Sequence, residues 1–317
     1  MEIYTFLIIG LILCLIYFVK SKKAAPIVVS DIIIYPIKGC GSIHLKEGKI
    51  VENGLVEDRQ WFIANDKLEN ITQRQNPKIL GIQPRLIYNG EGQLTNMILS
   101  HEGMPDFSLE IKDLSDKETV NVGVWKCTVP LPSKDEGEAV GAWITEALKA
   151  PENYHLFRFV ADWPINHRKE YQSTVSDEFK TMATDIAQFL VISEETYAEC
   201  IRKLPEYKRD HIDIIAFRPN IMVKGAPRAF DEDWWENFKI NDVNFQGIGR
   251  CSRCRVTTIS QKTLEFDANG EPVSTLRKIN GNGTKGYLGM HCVKTCCGTV
   301  RVGDQVQVVS RRKFPDI

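Results

Sequence analysis

The stretch Arg250-Cys-Ser-Arg-Cys-Arg-Val-Thr-Thr-Ile259 carries the most specific chemistry in this sequence, because two thiols lie among three arginines. Nearby cations favour the thiolate form of a cysteine, which acts as a nucleophile, a redox group or a soft metal ligand. Guanidinium groups also bind phosphate in a bidentate fork. The β-branched end of the stretch predicts a strand from Arg255 to Ile259. We therefore expect both cysteines where a loop enters a sheet.

Composition narrows the class of protein. The 317 residues include 40 basic and 41 acidic side chains and carry a net charge of −1. This balance argues against a protein that binds nucleic acid through a positive field. The length favours two packed units. The nine cysteines include the adjacent pair Cys296-Cys297 and follow no regular framework, which predicts reduced thiols.

The first residues predict a membrane anchor. The run from Ile3 to Val19 is mostly apolar and uncharged, and three lysines follow it within residues 20–23. Its length is near the lower limit for a spanning helix, about 17 to 25 residues. The basic flank predicts that residues 24–317 face the cytosol. A cleaved signal peptide is the alternative interpretation of the same run.

Short runs of β-branched and aromatic residues, separated by turns, dominate the rest of the sequence. The predicted strands include residues 28–35, 60–64, 126–129, 189–192 and 221–223. Helical spacing occurs at residues 138–150 and at residues 194–203, where Ser193 is the predicted N-cap. These patterns predict a β-rich α+β protein with barrel-like halves.

Six segments, taken in order along the chain, resemble the MOSC proteins, a family named for the C-terminal domain of molybdenum cofactor sulfurase. Among them the sequence resembles the mitochondrial amidoxime-reducing components, membrane-anchored molybdenum enzymes of animals. The segments are Tyr35-Pro-Ile-Lys38, Asp58-Arg-Gln-Trp61, Thr72-Gln-Arg-Gln-Asn-Pro77, Phe217-Arg-Pro-Asn220, Cys251-Ser-Arg-Cys-Arg-Val-Thr-Thr258 and Val302-Gly-Asp304. Their shared order spans nearly all of residues 27–309 and is specific, although each segment alone is weak.

The resemblance implies a fold and a division of the chain. The expected architecture is a MOSC-type β-barrel preceded by an N-terminal β-rich MOSC-associated domain. The predicted divisions are the anchor and its basic flank at 1–23, the N-terminal domain at 24–150 and the MOSC domain at 151–317. The resemblance also implies the Mo-molybdopterin cofactor.

The family pattern assigns residues to that cofactor. In the family the second cysteine of the motif ligates molybdenum, which assigns Cys254 to the metal and leaves Cys251 as a neighbouring thiol. A soft thiolate also suits a metal that cycles by two electrons. The residues implied to bind the pterin and phosphate are Lys38, Arg59, Arg218, Asn220, Ser252, Arg253 and Cys254. Surface salt bridges are the alternative role for Arg59 and Arg218, and a solvated side chain is the alternative for Lys38.

Three departures from the family pattern bear on the substrate pocket. Gly39 stands where the family has a serine, and Ile186 and Ala187 follow Asp185 where the family tends to have hydroxyl residues. His291 stands where the human members have a tyrosine. Asp185 and His291 are the family-aligned groups expected to relay protons, and a histidine changes charge near neutral pH. A turn cap and a packed imidazole are the alternative roles of these two residues.

The resemblance implies a reductase of N-hydroxylated compounds such as amidoximes and hydroxylamines. Its implied electron donors are cytochrome b5 and NADH-cytochrome b5 reductase. The sequence has no Walker loop, and without a flavin or NAD fold the electrons are expected from a partner protein. The implied location is the mitochondrial outer membrane with the catalytic domain facing the cytosol, and the endoplasmic reticulum is the alternative.

Two other functions compete with the reductase. A structural zinc site would join Cys251 and Cys254 to ligands from the segment 291–297, which contains His291, Cys292, Cys296 and Cys297. A sulfur-carrier role is the alternative within the family, although no pyridoxal-phosphate domain accompanies it. The acidic run at residues 231–233 is predicted to be a solvated charged face, and a partner surface is the alternative.

Overall fold

The computed structural model describes residues 25–123, 131–160, 163–164, 179–182, 184 and 186–315. The predicted anchor at 1–23, the predicted strand at 126–129 and Asp185 lie outside the described residues. Every helix within the described ranges is too short or too polar to span a membrane.

Strands dominate the described part of the chain. Those of the first half are β1 (Val28–Ile34), β2 (Ile43–Leu45), β3 (Glu47–Val51), β4 (Gly54–Leu55), β5 (Trp61–Asn65), β6 (Gln83–Tyr88), β7 (Leu94–Ser100), β8 (Phe107–Glu110), β9 (Val120–Val122), β10 (Leu131–Asp135) and β11 (Tyr154–Phe159). Those of the second half are β12 (Trp163–Pro164), β13 (Lys180–Thr181), β14 (Phe189–Ser193), β15 (Ile221–Lys224), β16 (Trp235–Ile240), β17 (Val243–Ser252), β18 (Tyr287–Lys294), β19 (Gly298–Arg301) and β20 (Val306–Arg311). The β-rich prediction is confirmed.

Helices are short and few among the described residues. The α-helices are α1 (Glu138–Ala147), α2 (Glu194–Lys203), α3 (Glu206–Arg209) and α4 (Val273–Ile279). The 3-10 helices are Pro77–Gly81, Ile214–Phe217, Glu232–Trp234 and Arg255–Thr258. The predicted helix at 194–203 is confirmed, and Ser193 caps it because its Oγ accepts a hydrogen bond from the Thr196 backbone N–H at 3.1 Å.

The largest sheet joins both ends of the chain. Its eight strands run in the order β2-β1-β15-β14-β18-β17-β16-β20, and β14 and β15 are its parallel pair. One face packs on a core of aromatic rings. Phe238 stacks on Phe245 with ring centroids 5.0 Å apart, and Phe189 meets Phe245 edge-on at 5.3 Å. Strands β1 and β2, from the first 45 residues, therefore belong to the sheet of the second half.

Two smaller sheets, β5-β11-β10-β9 and β6-β7-β8, lie with α1 in the N-terminal half, and β3 and β4 form another sheet with β19. Helix α1 buries Val140, Trp143 and Ile144, and the Trp143 indole N–H donates to the Pro105 carbonyl at 2.8 Å. Gly141 is required where α1 crosses β11, because a Cβ there would lie 2.8 Å from the Tyr154 carbonyl oxygen. Strand β11 pairs with β5 and β10, so the N-terminal sheet extends past residue 150. The division at 150 stays a prediction.

The predicted strand from Arg255 to Ile259 is wrong. The chain forms a 3-10 helix at Arg255–Thr258, because the hydroxyls of Thr257 and Thr258 each donate 2.8 Å bonds to the carbonyl three residues earlier. Cys251 consequently lies near the end of β17, and Cys254 follows that strand. The two cysteines therefore mark the place where the chain leaves a sheet, which reverses the expected direction.

The acidic run is buried, so the prediction of a solvated face is wrong. Asp231, Glu232 and Asp233 are 2%, 0% and 4% exposed. Glu232 accepts from the Ser193 backbone N–H and hydroxyl at 3.0 and 2.9 Å. Burial raises the pKa of Glu232, and burial together with the neighbouring Glu232 raises the pKa of Asp233 to about 7. The acidic run is therefore part of the protein interior, where Glu232 binds Ser193 at the end of β14.

Candidate functional site

A cleft of about 340 Å³ lies between the N-terminal segments and the large sheet. The first half of the chain contributes Lys38, Gly39, Arg59 and residues 70–74 to its wall. The second half contributes residues 216–218, residues 251–254, His291 and apolar side chains that include Ile186, Ala187 and Leu190. The cleft thus collects the chemistry-bearing residues of both halves.

The backbone around Cys254 holds its thiol at the cleft. The Thr257 N–H and hydroxyl donate to the Cys254 carbonyl at 3.1 and 2.8 Å. The Arg253 N–H donates to the Gly286 carbonyl at 2.8 Å. The thiol of Cys254 is exposed, whereas that of Cys251 is buried. A rigid turn therefore presents one accessible sulfur.

The arginines adjacent in sequence have separate contacts. The Arg253 Nη1 donates to the Cys251 sulfur at 2.8 Å. The guanidinium of Arg250 lies 4.0 Å from the ring centroid of Tyr287, and that of Arg255 lies 4.0 Å from the ring centroid of Phe266. Three neighbouring cations in the sequence are thus spread over three environments.

Arg74 supplies a cation at the Cys254 sulfur. Its Nη2 lies 3.3 Å from the Cys254 Sγ, across 180 residues of sequence. The sequence reasoning missed Arg74 as a site residue. Its signal was the segment Thr72–Pro77, which carries part of the family resemblance. Only the packing of the two halves shows which side chain of that segment reaches the sulfur.

The cleft also borders a charged network that we call the arginine wall, formed by Tyr35, Asp58, Arg59, Arg218 and Asn220, of which the last three line the cleft. The guanidiniums of Arg218 and Arg59 lie 3.9 and 4.4 Å from the centroid of the Tyr35 ring. Asp58 forms an ion pair with Arg59 and accepts from the Tyr35 backbone N–H at 2.8 Å. Its Oδ2 also accepts from the Asn220 amide at 3.0 Å. Asp58 thereby offsets part of the buried positive charge.

The side-chain amide of Asn220 forms hydrogen bonds within the protein. Its Nδ2 donates to the Ile33 carbonyl at 3.2 Å as well as to Asp58, and its Oδ1 accepts from the Leu190 N–H at 3.3 Å. Asn220 lines the cleft, but its side-chain hydrogen bonds go to Asp58 and to the backbone of Ile33 and Leu190. Its predicted contact with the cofactor stays a prediction.

Two guanidiniums keep donors for a ligand. Burial, followed by the nearby charge of Arg59, lowers the pKa of Arg218 to about 10, so Arg218 remains charged at neutral pH. Its Nη1 donates to the Cys40 carbonyl at 2.8 Å. Within the described residues, the buried Arg218 Nη2 and Arg253 Nε have no hydrogen-bond partner. Buried cationic donors of this kind fit a phosphate or another anion.

The remaining predicted site residues also reach the cleft. Lys38, Ser252 and His291 line it, and His291 lies on β18, where it pairs with Leu190. Gly39 has a φ of +92°, a conformation that favours glycine, and its carbonyl accepts from the Gln73 amide at 2.7 Å. The positive φ at this position thus accounts for glycine in place of the family's serine.

The zinc interpretation is not supported by the arrangement of the ligands. Among the described residues, no three His, Cys, Asp or Glu side chains lie close enough to hold a metal ion. Cys292 is fully buried, and burial raises the pKa of its thiol. The Cys296 sulfur lies 3.2 Å from the Asp242 carbonyl oxygen. The described residues therefore do not bring Cys251, Cys254 and residues 291–297 together as the alternative four-ligand site requires.

Family models match both halves of the chain. The MOSC N-terminal beta barrel domain matches residues 27–151, and the MOSC domain matches residues 178–307. The chain is 30% identical over 304 residues to mitochondrial amidoxime-reducing component 1 of Homo sapiens, covering 89% of this chain and 83% of that protein. It is 28% identical over 292 residues to mitochondrial amidoxime reducing component 2 of Rattus norvegicus, covering 88% and 82%.

A second group of relatives is much longer. The chain is 27% identical over 263 residues to molybdenum cofactor sulfurase of Bos taurus, covering 77% of this chain but 29% of that protein. The resemblance inferred from the six segments is confirmed. The chain belongs to the MOSC family, with an N-terminal MOSC β-barrel domain followed by a MOSC domain.

Proposed function

We propose that this chain is a molybdenum-cofactor oxidoreductase that reduces the N–O bond of N-hydroxylated compounds. The observation that carries the proposal is the exposed thiol of Cys254, presented to a cleft lined by cationic side chains from both halves. These cations are Lys38, Arg59, Arg74, Arg218 and Arg253. A thiolate ligand beside guanidiniums with unused donors suits a metal bound through an anionic, phosphate-bearing organic group.

The residues present fit such a cofactor. Cys254 would hold the molybdenum. The Arg218 Nη2 and Arg253 Nε donors, which have no partner in the described part of the chain, would bind the phosphate and the pterin. Lys38 and Ser252 line the same cleft and would add donors. When bound, the cofactor would supply the two-electron redox couple that reduction of an N–O bond requires.

The protein's own groups would manage protons and substrate. Reduction of a hydroxylamine consumes two electrons and two protons and releases an amine and one water. We assign proton delivery to His291, which lines the cleft, and to Asp185 as a second relay. Ile186 and Ala187 form an apolar part of the wall, which favours substrates with an apolar body next to the N–O group.

Electrons and location follow from the relatives and from the sequence. The GxGxxG spacing at Gly281–Gly286 follows helix α4 and precedes β18, whereas a dinucleotide-binding motif follows a strand and opens a helix. We therefore assign electron delivery to cytochrome b5 and NADH-cytochrome b5 reductase. The mitochondrial names of the amidoxime-reducing relatives and the apolar run in residues 1–23 support the mitochondrial outer membrane, with the catalytic domain facing the cytosol. The endoplasmic reticulum remains the alternative membrane.

Metal analysis of the purified full-length chain tests the cofactor. We expect about one molybdenum for each chain, a pterin and little zinc. Cys254→Ser should lose most of the molybdenum, whereas Cys251→Ser should retain it, because the Cys251 thiol is buried against Arg253. Zinc without molybdenum in the wild-type protein would contradict the proposal.

The reaction has its own assay, the reduction of benzamidoxime with NADH, cytochrome b5 and the reductase. Omission of cytochrome b5 should abolish turnover, and turnover that persists without it would contradict the proposed electron route. A molybdenum-replete protein that reduces no N-hydroxylated compound would leave sulfur transfer as the better function. That second function has the accessible Cys254 thiol and the sulfurase relatives in its favour.

A further inference from the structure

We propose that Arg74 is a positioning residue for the sulfur of Cys254. Its guanidinium provides the local positive charge and the hydrogen-bond donor, so the N-terminal domain completes a thiolate centre whose sulfur comes from the MOSC domain. The inference deepens the proposed function and rests on it only where the bound metal is concerned.

The contact itself is direct. Arg74 Nη2 lies 3.3 Å from the Cys254 Sγ, a normal distance for a nitrogen donor and a sulfur acceptor. A charge-assisted bond of this kind is stronger than a neutral one. Arg74 is partly buried, so solvent and salt screen its charge less than that of a fully exposed side chain.

The backbone under Arg74 is fixed before any ligand binds. Gln73 is buried and donates to the Gly39 carbonyl at 2.7 Å. The Arg74 N–H donates to the Thr72 hydroxyl at 3.2 Å, and the Asn76 N–H donates to the Thr72 carbonyl at 3.0 Å. This turn lowers the conformational entropy that is lost when the long Arg74 side chain is held at the sulfur.

Arg255 provides a matched comparison. It follows Cys254 directly in the sequence and is exposed, but its guanidinium stacks 4.0 Å from the Phe266 ring centroid. Sequence proximity would assign the thiolate's counter-charge to Arg255, whereas the geometry assigns it to Arg74. Each arginine can be neutralised separately, and the two results discriminate between the assignments.

A donor at the sulfur also has a consequence for a bound metal. Hydrogen bonds to a ligating sulfur withdraw electron density and stabilise the reduced metal, which raises its reduction potential. Arg74 would therefore set the potential of the site without contacting the metal. Its removal should lower the potential while leaving the ligand set intact.

Charge-selective alkylation tests the first part. The full-length chain is prepared from a host that makes no molybdenum cofactor, and Cys254 is alkylated with iodoacetate or with iodoacetamide. Both reagents attack the same thiolate, so the ratio of the two rates reports the local field rather than the degree of ionisation. Peptide mass spectrometry resolves the sites, and the exposed Cys297 serves as an internal reference.

We expect Arg74→Gln to lower the iodoacetate-to-iodoacetamide ratio at Cys254 by about fivefold, the effect of one nearby, partly screened charge. Arg74→Lys should retain most of the ratio, and Arg255→Gln should leave it unchanged. The ratio at Cys297 should not change in any variant. Arg74→Met replaces Arg74→Gln if the latter lacks the wild-type near-UV circular dichroism.

An unchanged ratio at Cys254 in the neutral Arg74 variant, or an equal fall in Arg255→Gln, would overturn the role of Arg74. In the molybdenum-loaded protein, Arg74→Gln should lower the reduction potential at unchanged metal content, and an unchanged potential would overturn the second part. A chain that binds no molybdenum would end the proposed function alone, because the alkylation result does not depend on the metal.

Discussion

The two walls of the cleft differ in the burial of their polar groups. On the arginine wall, Asp58 is buried, and its two carboxylate oxygens interact with Tyr35, Arg59 and Asn220. On the other wall, the Cys254 sulfur is exposed and accepts a hydrogen bond from Arg74, which belongs to the N-terminal domain. One wall holds buried, paired charge, and the other presents an accessible thiol.

This difference separates two requirements of the site. A buried charge is costly unless it is paired, so holding the arginines in place requires a network of buried hydrogen bonds. A sulfur that exchanges a ligand must stay accessible, so only its backbone is fixed. Damage to the arginine wall should therefore appear first as lost stability, whereas damage to Cys254 should appear as lost chemistry.

The largest expected effect is the loss of chemistry in Cys254→Ser. Serine is a poor ligand for a soft metal, so we expect reduction of benzamidoxime to fall by about a thousandfold or more. The thermal midpoint of the cofactor-free chain should change little, because the thiol is exposed and the turn is held by backbone bonds. Cys297→Ser is the control and should retain activity. A Cys254→Ser protein with more than a tenth of the wild-type rate would contradict the difference between the walls.

The arginine wall is tested by Asp58→Asn. The substitution leaves Arg59 and Arg218 without the buried carboxylate that offsets them, and we expect a loss of about 3 to 5 kcal/mol in the free energy of unfolding. Urea denaturation measures the loss. Glu110→Gln is the control, since its ion pair with Lys112 is exposed on both sides and should contribute nothing measurable. Equal stability of the two variants would show that the buried network does not hold the wall.

Asp233 sharpens the comparison because it is a buried carboxylate with an oxygen, Oδ1, that has no partner among the described residues. Its pKa of about 7 lies above the ordinary value of 3.8. The folded protein thus keeps a proton that the unfolded chain releases between these values. The stability from this proton is complete below about pH 4 and is lost as the pH rises through 7.

Asp233→Asn removes this pH dependence, since asparagine does not titrate. Between pH 5 and 8 the free energy of unfolding of the variant should gain about 2 to 3 kcal/mol relative to the wild type. Urea denaturation at several pH values gives the difference curve. Parallel curves for the two proteins would mean that Asp233 does not titrate between those pH values.

The smallest expected effect comes from Tyr35→Phe. The phenyl ring keeps the surface for Arg59 and Arg218, but the hydrogen bond from the hydroxyl to the Pro219 carbonyl at 3.1 Å is lost. We expect a cost of about 1 kcal/mol in unfolding free energy with molybdenum content unchanged. Tyr35→Leu is the contrasting variant, because it also removes the ring and should lower the molybdenum content. If Tyr35→Phe loses the metal as well, the hydroxyl rather than the ring organises the wall.

The sequence was a good guide wherever local chemistry decides the structure. The β-rich class, the helix capped by Ser193 and the family followed from patterns of a few residues, because strand propensity, capping and motif order are local properties. All the described residues predicted for the cofactor line one cleft. The strand predicted at 255–259 failed because hydroxyl bonds within the turn outweighed β propensity.

The sequence by itself determined the membership in the MOSC family, the cysteine proposed to bind the metal and the residue types that surround it. Only the tertiary structure decided which charges meet which groups. It buried the acidic run, turned Arg255 onto Phe266 and brought Arg74 to a sulfur 180 residues away. Such pairings depend on how β1 and β2 join the sheet of the second half, and this long-range packing leaves no periodic pattern in the sequence.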